Sequence, residues 1–257
     1  MSDAAGHRTE ARGSAAFLLV HGSAHGAWCW RDTIPALEAL GHRARAIDLP
    51  SHGADPTPAS EVTLDAYARA IVSALDDWGD DTGSDAPAIL VGHSMAGYPI
   101  TAAAELAPEK VARLVYLCAY VPRAGHSLAD LRRMGPSQPL RDAIVADPTG
   151  TTFRFDPDKA VDRLYHDVAP GTAAWAVSML GAQPIRPQET VLAVERALRV
   201  PRSYIRCTGD RAIPPAWQAA MSEGWPAADV TTLPTSHSPF LSDPAALAAR
   251  LDAIARS

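Results

Sequence analysis

Ile89-Leu90-Val91-Gly92-His93-Ser94-Met95-Ala96-Gly97 runs a short apolar stretch straight into a serine flanked by small residues. A strand that turns sharply into a helix at such a serine reads as a nucleophile elbow. The tight turn strains the serine backbone and lifts its hydroxyl above the sheet, so positions two away must be small. Gly92 meets that need before Ser94; after it, Ala96 stands where the commonest pattern has glycine, and Gly97 comes one place late. The plainer alternative is a serine that only N-caps a core helix beginning at Met95.

Two later segments favour the elbow, and they fall in the order serine, acid, histidine. Residues 202 to 208, Arg-Ser-Tyr-Ile-Arg-Cys-Thr, alternate like a strand and lead into Gly209-Asp210-Arg211, which places a carboxylate at a strand's C-terminal end. Asp210 is the expected acid. A short helical pattern from Pro214, a strand over 230–233 and the loop Pro234-Thr235-Ser236-His237-Ser238-Pro239 then present His237 as the expected base. Near the front, the buried-strand run Ala16-Phe17-Leu18-Leu19-Val20 precedes His21-Gly22-Ser23-Ala24-His25-Gly26, whose glycines let backbone N–H groups face a ligand. Acyl transfer needs such donors, and the amides of Ser23 and Met95 are the expected oxyanion hole. His21 and His25 stand four apart, but the glycines argue for a loop rather than a metal-binding helix, and no third ligand is evident. No metal or other cofactor is expected.

The 257 residues, 47% hydrophobic, suffice for one sizeable α/β domain, and a formal charge of −6 leaves no basic patch for nucleic acid. Strands are expected at 16–20, 43–48, 88–92, 111–118, 202–208 and 229–233, with helices near 28–40, 63–78, 95–107, 215–223 and 243–255. Apolar strands alternating with amphipathic helices imply a mainly parallel sheet of about six strands with both faces covered. Gly41 is expected to end the first helix, Thr63 to cap the second and Pro108 to stop the one after Ser94. Cys29, Cys118 and Cys207 are odd in number and widely spaced, and read as reduced core residues. Gly-x-Gly-x-x-Gly and Walker-type phosphate loops are absent, which removes dinucleotide and ATP readings. Residues 1–14 are polar and read as a disordered tail. With no secretory or membrane-spanning pattern, a cytoplasmic location without membrane partners is the default, and the sequence leaves room for a homodimer.

His21-Gly22-Ser23-Ala24-His25-Gly26-Ala27-Trp28-Cys29-Trp30, Gly92 to Gly97, the run Val115-Tyr116-Leu117-Cys118-Ala119-Tyr120-Val121-Pro122, Tyr204 to Asp210 with Ile213-Pro214, and His237-Ser238-Pro239-Phe240-Leu241 carry a further signal. Together they resemble the plant methylesterase and hydroxynitrile lyase branch of the α/β-hydrolases and its bacterial esterase relatives. The resemblance runs from Phe17 onward and is weakest in the middle. It implies an α/β-hydrolase fold, a Ser94, Asp210, His237 triad, the Ser23 and Met95 amides as oxyanion hole, and no cofactor. Lyases of this branch resemble one another in a threonine after the first histidine, a glutamate before the nucleophile and a lysine after the catalytic histidine. This chain has Gly22, His93 and Ser238 there, which favours an esterase and makes Gly22 and His93 substrate-side positions.

Residues 122–200 break the alternation, with many prolines, glycines and short helical runs, including 160–166 and 173–180. They read as a helical cap inserted between core segments 15–121 and 201–257. Within and beside it, Tyr120, Trp175 and Met179 are the expected substrate neighbours. Asp48, a weaker rival for the acid, precedes the nucleophile and belongs to a turn at the sheet's end. His52, His126 and His166 read as exposed loop or cap residues, and Arg132 and Arg133 either meet a substrate carboxylate or lie on solvated surface. The expected activity is hydrolysis of small to medium hydrophobic carboxylic esters through an acyl-enzyme. The alternatives are a lactonase or a biosynthetic enzyme using the same triad for cyclisation, elimination or acyl transfer, and a non-catalytic receptor on the same scaffold.

Overall fold

The first strand shows how the molecule is layered. Along β1 (Ala16–Val20), Phe17 and Leu19 point into one hydrophobic cluster while Leu18 and Val20 point into another. Side chains alternate faces along a strand, so a fully apolar run is stable only where both faces are covered. The same division recurs after β2 (Arg43–Ile47): in β3 (Ala88–His93), Ile89 and Val91 oppose Leu90, and in β4 (Val111–Leu117), Val115 and Leu117 oppose Leu114 and Tyr116. The computed structural model describes residues 14–82 and 86–257. All but one residue of the expected N-terminal tail therefore lies outside the described residues.

Helix α1 (Thr33–Ala39) lies on the first face, and α2 (Leu64–Thr82) and α3 (Gly97–Leu106) on the second. In α2, Leu64, Tyr67, Ala68, Ile71 and Leu75 recur at the spacing that makes one buried stripe. Local signals act where the sequence places them. Gly41 follows α1 at φ +88°, Thr63 Oγ1 accepts from the Ala66 amide at 3.0 Å, and α3 ends two residues before Pro108.

Between β4 and the next core strand stand α4 (Leu128–Met134), β5 (Ile144–Ala146), β6 (Thr152–Phe155), α5 (Pro157–Leu164), α6 (Pro170–Met179), β7 (Gln183–Pro184) and α7 (Arg186–Glu189). The expected helical runs at 160–166 and 173–180 correspond to α5 and α6. The cap is not purely helical, however, because β5, β6 and β7 form an antiparallel three-stranded sheet. Its strands are too short to show a period in sequence. The turn joining β5 to β6 is closed by the Asp147 carboxylate, which accepts from the Thr149 amide at 2.7 Å, and by Gly150 at φ +71°.

The chain then returns through β8 (Arg202–Cys207), α8 (Pro215–Met221), β9 (Val230–Leu233), α9 (Pro239–Ser242) and α10 (Pro244–Ala255). The main sheet has the order β2-β1-β3-β4-β8-β9, and every pairing is parallel. All its strands therefore end on one side, where their loops meet. The three cysteines are free and buried, as expected. His52 is not exposed as expected: it is buried at 2% exposure, its Nδ1 3.1 Å from the Pro50 carbonyl and its Nε2 3.1 Å from Gln183 Oε1 in the cap. Among the described residues no helix is long and apolar enough to cross a membrane.

Candidate active site

Ser94 follows β3 directly, at φ +55°. A non-glycine residue there is strained and persists only where its surroundings hold it. Three close approaches do so. A Cβ on Gly92 would lie 2.8 Å from the Ala96 carbonyl oxygen, and one on Gly97 would lie 2.0 Å from that of Tyr120. The Tyr120 amide in turn donates to the Ser94 carbonyl at 3.0 Å. Gly97, one place late in the motif, is thus required by the loop after β4, and Ala96 fits within the turn.

Asp210 sits in the loop after β8 with its side chain fully buried, and both oxygens are engaged. Oδ1 accepts from the Ala212 and Ile213 amides at 2.7 and 2.9 Å; Oδ2 accepts from Gln218 Nε2 at 2.8 Å and from His237 Nδ1 at 2.7 Å. A carboxylate with four donors is fixed in direction. The Gly209 amide donates to the Thr235 carbonyl at 3.0 Å, and a Cβ on Gly209 would come 2.9 Å from that oxygen, so the Asp210 loop rests against the His237 loop. Asp48 serves elsewhere, accepting from the Ala27 and Ala54 amides at 2.6 and 3.0 Å.

Around His237 lies a nest of buried imidazoles. His93 Nε2 donates to the His237 carbonyl at 2.8 Å, which leaves its Nδ1 as a bare lone pair without a partner. His25 Nδ1 donates to the Ser23 carbonyl at 2.8 Å, so its Nε2 accepts from the Tyr165 hydroxyl at 2.7 Å. Burial pushes His25 down to about 4 and holds His93 well below the ordinary range, with His237 adding to the effect on both. The His25 and His93 rings beside His237 are therefore neutral. His93, Cys118 and His237 bring donor atoms within 4.8 Å of one another. Of the atoms these residues carry, His93 Nε2 and Cys118 Sγ face the His237 carbonyl, and His237 Nδ1 faces Asp210.

The 23–25 loop is tied to the cap residue by residue. Gln188 Nε2 donates to Ser23 Oγ at 2.9 Å and also approaches Met95 Sδ at 3.4 Å. Ala24, at φ +63°, donates to Gln183 Oε1 at 3.0 Å and accepts from the Gly181 amide at 2.7 Å. With the Tyr165 bond to His25, all three loop residues are positioned from above. Nothing in the sequence marks Gln183, Gln188 or Tyr165 for this duty, since each is a lone polar group in an irregular segment.

Ser23, Ser94, Met95, His93, Tyr120 and His237 line one cavity of about 30 Å³, closed by apolar cap residues that include Leu128, Phe153, Phe155 and Leu164. Of the expected substrate neighbours, His93 and Tyr120 face this space, and Gly22, Trp175 and Met179 do not. Gly22 lies beneath it, where a Cβ would come 2.6 Å from His93 Nδ1. Trp175 packs edge-on against Trp28 at 5.2 Å and under the Arg31 guanidinium at 3.9 Å, and Met179 is 42% exposed. Both lie on α6, whose buried residues are the small Ala173 and Ala176; Trp175 is half-buried against the core away from the cavity, and Met179 is exposed. His25 and Gln188, unexpected from sequence, line the cavity instead.

Known proteins share this arrangement of chain. Methylesterase 1 of Arabidopsis thaliana is 32% identical over 244 residues, covering 89% of this chain and 91% of the relative. A pyrethroid hydrolase from Sphingobium faniae superposes with a TM-score of 0.82 at 28% identity, covering 95% of this chain and 98% of that one. Polyneuridine aldehyde esterase gives 0.81 at 25% identity, over 94% and 99% of the two chains. With residues 17–250 matching the alpha/beta hydrolase family throughout the sheet, cap and loops described above, this chain belongs to that family.

Proposed function

We propose that the protein is a serine carboxylesterase that cleaves small to medium hydrophobic esters, methyl esters included, through Ser94, His237 and Asp210. The observation that carries this reading is the 2.7 Å bond from His237 Nδ1 to a fully buried Asp210, in a cavity shared with a serine held at φ +55°. Asp210 fixes the tautomer in which Nε2 is free to accept the Ser94 proton as Oγ attacks the ester carbonyl. The Ser23 and Met95 amides hold the resulting oxyanion, and the bonds from the cap keep the first of these donors in place. His237 then hands its proton to the departing alkoxide. A water deprotonated by the same ring attacks the acyl-enzyme and releases the acid. The names methylesterase, esterase and pyrethroid hydrolase borne by the relatives support an ester as substrate.

The test is intact mass after a fluorophosphonate, with p-nitrophenyl acetate and butyrate turnover, on wild type and Ser94→Ala. We expect a single adduct on wild type, none on the variant, and a fall in turnover of at least about 10⁴-fold. A folded wild type that takes no label would overturn the proposal.

A further inference from the structure

Of the cap arginines that have no carboxylate partner among the described residues, Arg132 and Arg141 are set apart from Arg123, Arg154, Arg186 and Arg199 by lining a cavity. Arg133 donates to Asp130 at 3.0 Å, and Arg163 to Asp142 and Asp162 at 3.1 and 2.8 Å, while Arg211, just beyond the cap, pairs with Asp162. Arg132 and Arg141 have no carboxylate partner among the described residues. The geometry of α4 explains why the adjacent pair at 132 and 133 divides. Ser127 and Asp130 close a capping box, and Arg133 lies one turn from Asp130 on that same outer side. Arg132 is one turn from Leu128, and both line the cavity that holds Ser94 and His237.

Arg132 also lines a second, outer cavity of about 190 Å³. Tyr120, Arg132, Leu140 and Ile144 are common to both spaces, so the two are neighbouring chambers with a shared wall. The remaining wall of the outer chamber is Ser137, Gln138, Pro139, Arg141 and Ala212, with no aspartate or glutamate. The inner chamber is small and mostly apolar apart from the reacting groups. The outer one is several times larger, bears two cations and offers further polar donors.

From this juxtaposition we propose that the substrate is a carboxylic ester with a second, free carboxylate at its far end, a half-ester of a dicarboxylic acid. The scissile ester lies in the inner chamber at Ser94, the aliphatic linker passes Leu140 and Ile144, and the carboxylate meets the Arg132 and Arg141 guanidiniums. Hydrolysis consumes one water and releases the alcohol, the dicarboxylate and a proton. An unpaired guanidinium against a cavity wall suits this role because its planar fork takes a carboxylate through two parallel bonds. The inference rests on the esterase reading above and narrows it.

The test compares kcat/KM for the monomethyl esters of glutaric, adipic, pimelic and suberic acids with those for methyl alkanoates of the same acyl length. The readout is the half-ester to neutral-ester ratio in wild type, Arg132→Gln, Arg132→Lys and Arg133→Gln. At one linker length or more, we expect Arg132→Gln to lower that ratio about ten- to hundredfold, chiefly through KM. Lysine restores part of it, 0.5 M salt shrinks it in wild type, and Arg133→Gln leaves it in place. A ratio that is the same in wild type and Arg132→Gln at every length overturns the inference, even if Ser94-dependent turnover of neutral esters is intact. Calorimetric titration of adipate, pimelate and hexanoate into Ser94→Ala supplies a readout without catalysis. Salt-sensitive binding of a dicarboxylate that is lost with Arg132→Gln supports the site even should the esterase reading fail, and equal binding of all three acids counts against it.

Discussion

The loops at the ends of β3, β8 and β9 and the cap above them are held by different forces. In the loops, hydrogen bonds between fixed partners and close backbone contacts dominate: four donors on Asp210, two on the His237 carbonyl, and backbone pressed against Gly92, Gly97 and Gly209. The cap contributes mostly apolar side chains to the cavity, and beside these stands Arg132, which has no carboxylate partner among the described residues. Directional bonding fixes where a proton can go, whereas apolar coverage and unpaired charge govern what can enter. The loop after β1, at Ser23, Ala24 and His25, and the loop after β9, at Ser236, are both joined to the cap by hydrogen bonds, so each answers to both regions.

Removing a bond from the loops should cost most. Asp210→Asn exchanges an acceptor for a group that can turn a donor toward His237 and favour the wrong tautomer, and kcat should fall about 10³- to 10⁴-fold in steady-state assays. A loss under tenfold in a folded variant would mean that the acid is not what orients the base.

The buried imidazoles predict a stability profile. His21, His25, His52 and His93 all bind protons less readily in the folded protein, with burial as the largest cause. As pH falls below about 6.5 the unfolded chain gains protons that the folded chain refuses, each histidine contributing a slope of about 1.4 kcal/mol per pH unit. Their contribution is complete above that pH and is lost on the way down to about 4, where His25 itself protonates. Urea midpoints between pH 7.5 and 5 should therefore drop steeply, and a flat profile would show that the nest is hydrated.

Within the cap the effects should be smaller and should separate by position. Gln188→Ala loosens Ser23 and Met95 and should lower kcat/KM for a neutral ester about five- to tenfold. Trp175→Ala, which removes an aromatic contact with Trp28 away from the cavity, should change it less than about twofold while lowering Tm. If Trp175→Ala proved the more damaging kinetically, the distinction between cap residues that face the cavity and those that face away would collapse.

What sequence reveals follows the same division. Glycines pressed on carbonyls and strands buried on both faces restrict residue type at almost every position, so the six-stranded sheet and the positions of Ser94, Asp210 and His237 at its strand ends could be read in advance. The β5-β6-β7 sheet could not, because strands of two to four residues leave no period to detect. Trp175 and Met179 look like pocket residues by size alone, but Trp175 packs on Trp28 and Arg31 and Met179 is exposed. Gly22 was informative for a different reason from the expected one: it makes room for His93 rather than for a ligand. Gln183, Gln188 and Tyr165 carry no local signature, since their partners lie more than a hundred residues away.

The positive φ at Ser94 has an evolutionary corollary. Glycine would sit in that turn at lower conformational cost than serine, so by backbone preference alone the position leans toward the residue that cannot attack anything. Under the proposed mechanism, serine endures there only while its hydroxyl is needed. A duplicated copy of this chain released from that demand would be free to drift to glycine at 94, and a descendant that still reads serine at this turn declares that its chemistry is in use.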